Sequence, residues 1–370
     1  EGHFVGREQV LGELGDLLRA AIAGQPAVAF VTGEAGQGKT SLLQAFVRQS
    51  SVEYSDLLVA GGNCNAYTGS GDPFLPFREI LEMLTGDVGT RGYASDLSLP
   101  QLRRLQAAIP RTVAALVETG PDLLDTFLPS RNVLQSVAGI PEEQAPWRAQ
   151  LQALAEMHAG QRERDSLQQS DLFEQYARVL KALSRHKPLL LFLDDLQWVD
   201  QGSANLLLHL GRSMQDHPIM ILGAYRPAEV ALGRNGARHP LETTLFELQR
   251  VFGRILFDLS QEEGRPFVDA LLDSEPNRLD EDFRETLYQQ TGGHPLFTVE
   301  LLRAMQERGD LARDAEGRWA THAHLDWHTL PARVEAAIGE RISRLPADLQ
   351  ELLEIASIEG EEFSVETVAG

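Results

Sequence analysis

Apolar positions recur with a helical period at the start of the chain. Val10, Leu11, Leu14, Leu17, Leu18 and Ile22 predict an amphipathic helix within residues 7–23. Residues 27–32 follow as a short apolar run ending at a glycine, the pattern of a strand buried on both faces. The alternation then repeats: helical spacing in 42–49, 73–84, 171–186 and 203–212 separates apolar runs at 57–60, 188–195, 219–224 and 254–259. Parallel strands need long crossover connections, so strands alternating with helices predict an α/β fold, a parallel sheet sandwiched by helices.

Two stretches break this rhythm. Residues 87–165 are too long for a plain loop. They read as a helical insertion, with helical stretches at 102–109, 112–117 and 147–158 broken by Pro110, Pro121, Pro129, Pro141 and Pro146. After residue 260 the spacing turns wholly helical, at 265–272, 281–290 and 296–307, with Asp314–Arg318 as a hairpin turn and two more amphipathic helices in 331–357. The expected organisation is an α/β domain over 1–260, a helical domain over 261–330 and a further segment over 331–370.

The first strand runs into Gly33, Glu34, Ala35, Gly36, Gln37, Gly38, Lys39 and Thr40, a G-x-x-x-x-G-K-[ST] phosphate loop with a strand before it and a helix after it. Glycines let backbone N–H groups turn inward onto phosphates at the positive end of the following helix. Lys39 is expected on the β- and γ-phosphates, the Thr40 hydroxyl on magnesium, and Ser41 near the α-phosphate. The run at 188–195 ends in Asp194 and Asp195, which places acid at the carboxyl edge of the sheet, where open α/β sheets bind ligands. Asp194 is expected to hold magnesium through water and Asp195 to polarise the attacking water; Asp200 reads as a helix cap. Arg226 follows another strand and can sense the γ-phosphate from the same edge. Arg234 and Arg238 lie in a glycine-rich loop where an intersubunit role is the competing reading. His322, His324 and His328 fit no zinc spacing and read as solvated.

Composition narrows the partners. A net charge of −21 argues against a broad nucleic-acid-binding face on these residues. No apolar run is long enough to span a bilayer, and residues 1–24 hold Glu8, Glu13 and Asp16 in place of a secretory signal. The single cysteine, Cys64, has no internal disulfide partner, which makes a reducing cytoplasm the expected compartment. The sequence starts at Glu1 and stops at Gly370 within what reads as folded sequence, so an excised piece of a larger protein is expected, with effector domains elsewhere in that chain.

With these motifs in order, the sequence resembles the STAND class of signal-transduction ATPases, in particular the bacterial AAA-type module of large transcriptional regulators and of cyclase or tetratricopeptide-repeat proteins. The resemblance rests on residues 4–8, 31–40, 191–200, 223–227 and 291–297. It implies ATP and ADP as ligands with Mg2+, Val5, Gly6 and Arg7 beside the adenine and ribose, and Pro295 packed on the base from a helical lid domain. It further implies that residues 331–370 begin a winged-helix domain, and that His294 stands where many relatives carry asparagine. Asp194–Asp195 replaces the Asp-Glu pair of many motor-type ATPases; the shorter acid is consistent with slow turnover. The expected protein is an ATP-hydrolysing switch, closed with ADP and opened by ATP for self-association or signalling. A replication-initiator-like DNA-binding ATPase and a non-catalytic nucleotide-dependent scaffold are the competing classes, and a metabolic kinase is a weaker third.

Overall fold

The computed structural model describes residues 5–64, 73–86, 97–141, 143, 145–160, 168–233, 237–262, 264–321 and scattered positions beyond. They fall into two compact units, one of residues 7–34 and 39–261, the other holding residues up to 6, 35–38 and 262 onwards.

In the larger unit, α1 (Glu8–Ile22) leads to β1 (Ala27–Thr32), α2 (Lys39–Glu53), β2 (Leu58–Asn63), α3 (Leu75–Thr85), α4 (Leu99–Thr119), α5 (Ser130–Ser136), α6 (Arg148–Gly160) and α7 (Gln169–Ser184). Then come β3 (Leu189–Asp194), α8 (Gln201–Ser213), β4 (Ile219–Tyr225), α9 (Pro227–Ala231), α10 (Pro240–Phe252) and β5 (Leu256–Asp258). The five strands form one sheet in the order β2-β3-β4-β1-β5, parallel throughout. Every residue of β1, β3 and β4 is buried, which is why their sequences read as continuous apolar runs rather than alternating ones.

The close approach of helix to sheet depends on small residues. In β2 an added Cβ on Gly62 would lie 2.0 Å from the backbone oxygen of Pro76, so α3 sits directly on the strand where only glycine leaves room. Beside it, Tyr176 of α7 is fully buried, donates its hydroxyl hydrogen to the Phe77 carbonyl at 2.8 Å and packs edge-on to Phe77 at 5.6 Å between ring centroids.

The proline-rich stretch differs from its sequence reading. Pro110 does not break a helix: α4 runs through it for 21 residues, starting with a capping box in which Ser98 and Gln101 exchange hydrogen bonds. The lost N–H frees one carbonyl in a turn whose apolar face, with Leu105, Ala108, Val113 and Leu116, is buried, and that packing holds the helix together. Pro121 starts a 3-10 turn and Pro129 caps α5, so these two breaks fall at the starts of helical elements. The last predicted strand is also shorter than expected, three residues from Leu256 at the sheet edge. Asp200 is the cap that the sequence indicated, its carboxylate accepting the Ser203 N–H at 2.9 Å.

In the smaller unit, α11 (Arg265–Asp273), α12 (Glu281–Thr291) and α13 (Pro295–Arg308) enclose a core of Val268, Leu272, Phe283, Leu287, Leu301 and Met305. The antiparallel pair β6 (Leu311–Arg313) and β7 (Trp319–Thr321) follows, with the expected turn at Asp314. His322, His324, His328, Arg234 and nearly all of 331–370 lie outside the described residues.

Packing at Gly62 yields a direct test. Gly62→Ala forces α3 off β2 and is expected to destabilise the fold by about 3 kcal/mol in denaturant titration, whereas Gly12→Ala, in an open position on α1, is expected to stabilise it by up to about 1 kcal/mol. Equal effects of the two substitutions would contradict the packing described.

Candidate nucleotide site

The sheet order determines which loops meet. The connection leaving β1 runs to β2 at one edge and the connection leaving β4 runs to β5 at the other, so the chain reverses between neighbouring strands β1 and β4. A crevice opens at the carboxyl ends of such strands. Parallel register brings Thr32 level with Tyr225 and Leu193 level with Gly223, so the turns after β1, β3 and β4 emerge side by side. The sequence alone did not reveal that β4, and therefore Arg226, comes between the other two.

The turn after β1 needs glycine twice, with Gly36 at φ +83° and Gly38 at φ +86°. Lys39 is buried at 6% exposure and donates to the Glu34 carbonyl at 2.8 Å. Burial of the ammonium, with Arg226 nearby adding like charge, pulls its pKa down to about 8. Thr40 and Ser41 are exposed on the first turn of α2. The Thr40 hydroxyl donates to Asp194 Oδ2 at 2.6 Å, while Asp194 Oδ1 accepts the Asp195 N–H at 2.8 Å. Asp194 is 1% exposed, so both oxygens of a buried carboxylate are engaged.

A hydroxyl facing a carboxylate supplies the hard oxygen pair that magnesium takes alongside phosphate oxygens and waters, so these residues fit that ion. Among the described residues no group of three or more His, Cys, Asp or Glu is placed to hold a metal ion.

Asp195 occupies the left-handed region at φ 52° and ψ 39°, and its Oδ1 accepts from Gln197 Nε2 at 2.7 Å. Arg226 caps α9, with Nη1 2.8 Å from Glu229 Oε1 in a largely buried ion pair. Its guanidinium is thus engaged with an acid three residues on, a partner that the sequence reading missed. Glu34 reaches the same turn, its Oε1 accepting the Ala228 N–H at 3.3 Å. Arg7 is 3% exposed and donates from Nη1 to the Leu259 carbonyl at 2.8 Å.

Within the smaller unit, Gly6 takes φ +72°. The crest of the phosphate loop belongs to that unit too. The Leu296 N–H donates to the Gly36 carbonyl at 3.1 Å, and His294 Nε2 lies 3.2 Å from the Ala35 carbonyl. Pro295 is buried at the first position of α13. An added Cβ on Gly36 would meet the His294 and Leu296 side chains at 2.7 and 2.8 Å. Glu229 and His239 lie outside the motifs and stand in no pattern that separates them from surface polar residues; Gln197 lies within the 191–200 segment, but its residue type alone assigns it no role there.

A family model described as AAA ATPase domain matches residues 3–222. The chain belongs to that family. As an AAA ATPase domain protein it is also similar, at 24% identity over 340 residues, to an uncharacterised protein of Rhizobium meliloti (strain 1021); that match covers 90% of this chain and 28% of the relative's length. Among solved structures it is similar to the Orc1 protein of Aeropyrum pernix in complex with DNA, at 16% identity and a TM-score of 0.42, covering 100% of this chain and 77% of that one. The Cdc6p protein of Pyrobaculum aerophilum matches at 15% identity and a TM-score of 0.41, covering 98% and 77%. No described helix of the AAA ATPase domain protein is long and apolar enough to cross a membrane.

The depressed lysine pKa has a measurable consequence. A polyphosphate favours the protonated ammonium, so above about pH 8 binding must take up a proton and affinity falls as pH rises. ATP affinity measured in EDTA is expected to be nearly flat up to neutrality and about tenfold weaker by about pH 9, with the decline absent in Lys39→Arg. An affinity that does not change across this range would contradict the assignment of Lys39.

Proposed function

We propose that this chain is an ATP-binding, slowly hydrolysing switch module of the STAND class, resting with ADP and activated by exchange for ATP. The observation that carries the reading is the Thr40 hydroxyl on Asp194 Oδ2 at 2.6 Å, directly beside buried Lys39 and at the carboxyl edge of a parallel sheet. In this reading the glycine turn and Lys39 would hold the phosphates, and Thr40 with Asp194 would hold Mg2+, which would supply charge neutralisation to the phosphates. Asp195 orients and polarises the attacking water, and Arg226 leaves Glu229 to meet the γ-phosphate.

The switching step is supported by the grouping of the loop crest, residues 35–38, with the helices that carry His294 and Leu296. A phosphate that reshapes this crest changes hydrogen bonds made by the helical residues themselves. Nucleotide can then shift the equilibrium by its differential affinity for two settings of the crest. In this reading residues 261–330 serve as the lid domain, with Val5, Gly6, Arg7 and Pro295 on the base and ribose. Self-association in the ATP state and effector domains elsewhere in a longer cytoplasmic protein complete the proposal. A DNA-binding role is disfavoured by the net charge of −21.

Phosphate release under multiple turnover tests the catalytic half. Lys39→Ala is expected to lose ATP binding, whereas Asp195→Ala is expected to bind ATP within about threefold of wild type and to release phosphate at least about a hundredfold more slowly. Normal hydrolysis by Asp195→Ala would remove Asp195 from its assigned role.

A further inference from the structure

The ends of β3 and β4 are tied together by one buried side chain to which no role has been given. Gln197, 1% exposed in the 3-10 turn Leu196–Trp198, donates from Nε2 to Asp195 Oδ1 at 2.7 Å. Its Oε1 accepts the backbone N–H of Arg226 at 3.2 Å. These partners fix the orientation of the amide, because a carboxylate only accepts and a backbone N–H only donates.

The turn is anchored from a third element. His239, also 1% exposed, accepts the Leu241 N–H on Nδ1 at 3.2 Å, which leaves the ring proton on Nε2, 2.9 Å from the Gln197 carbonyl oxygen. Gln197 is therefore held by its backbone to the start of α10 while its side chain spans two strand ends.

Asp195 needs such support. Aspartate visits the left-handed region more readily than most residues but still at a cost over the right-handed one, and local hydrogen bonds offset that cost. Gln197 holds Oδ1 at 2.7 Å, and fixing one oxygen sets the plane of the whole Asp195 carboxylate. We propose that Gln197 is a positioning residue for ATP hydrolysis: its amide sets the Asp195 carboxylate for the attacking water and links that setting to the strand end that bears Arg226. This rests on the ATPase reading above. These bonds run to Asp195, Arg226 and His239 rather than to the phosphate loop, so loss of the amide slows the chemical step more than it weakens nucleotide binding.

Two substitutions separate positioning from mere packing. Gln197→Met keeps the length and removes both hydrogen bonds; Gln197→Glu keeps an acceptor for the Arg226 N–H and removes the donor to Asp195. Both are expected to lower kcat at least about tenfold while the Kd for ATP stays within about threefold. In single-turnover assays, Gln197→Met added to Asp195→Ala is expected to cost less than about twofold more, because the two act as one unit. An unchanged kcat in both variants, a matching loss of ATP affinity, or a full additive loss on top of Asp195→Ala would overturn the proposal. If melting curves show that Gln197→Met does not fold, Gln197→Glu decides. Wild-type protein without turnover would remove the ATPase reading and this inference together; wild-type turnover untouched by either substitution would remove this inference alone.

Discussion

In-register parallel pairing of β1, β4 and β3 is the constraint on which the rest depends. Each strand is buried along its whole length, so its backbone groups must be satisfied by its neighbours and its side chains by helices on both faces. Pairing of that kind leaves little room for slippage, because a one-residue shift would turn every side chain to the opposite face. The three turns that follow the strands are thus delivered to one level. Lysine, threonine, two aspartates and an arginine come together there although the sequence separates Lys39 from Arg226 by most of the larger unit.

The cost of that convergence is visible in the side chains. Lys39 is buried near a second cation and its pKa falls to about 8, Asp194 is buried with both oxygens engaged, and Asp195 holds a strained backbone. In the proposed reading a bound polyphosphate would offset the burial of the lysine ammonium, and Mg2+ would take the threonine and aspartate oxygens. In the largely buried Arg226–Glu229 pair the guanidinium is engaged within its own turn.

The sheet and the phosphate loop were legible because both leave local signatures. Continuous apolar runs mark fully buried strands, and Gly36 and Gly38 take backbone angles that other residues avoid. Proline at 110 misled the reading because tertiary burial of Leu105, Val113 and Leu116 outweighs one missing hydrogen bond. Strand order and the bonds of Gln197 and His239 were not legible, because they join residues far apart in sequence through contacts with no local pattern.

The most direct test of the switch account is to denature protein purified without added nucleotide and identify what is released by chromatography, with Lys39→Ala as the control. The account predicts near-stoichiometric ADP from the wild type and none from Lys39→Ala, as expected for a closed resting state that retains its product. A wild-type protein that releases no nucleotide, or a Lys39→Ala protein that releases as much as wild type, would contradict it.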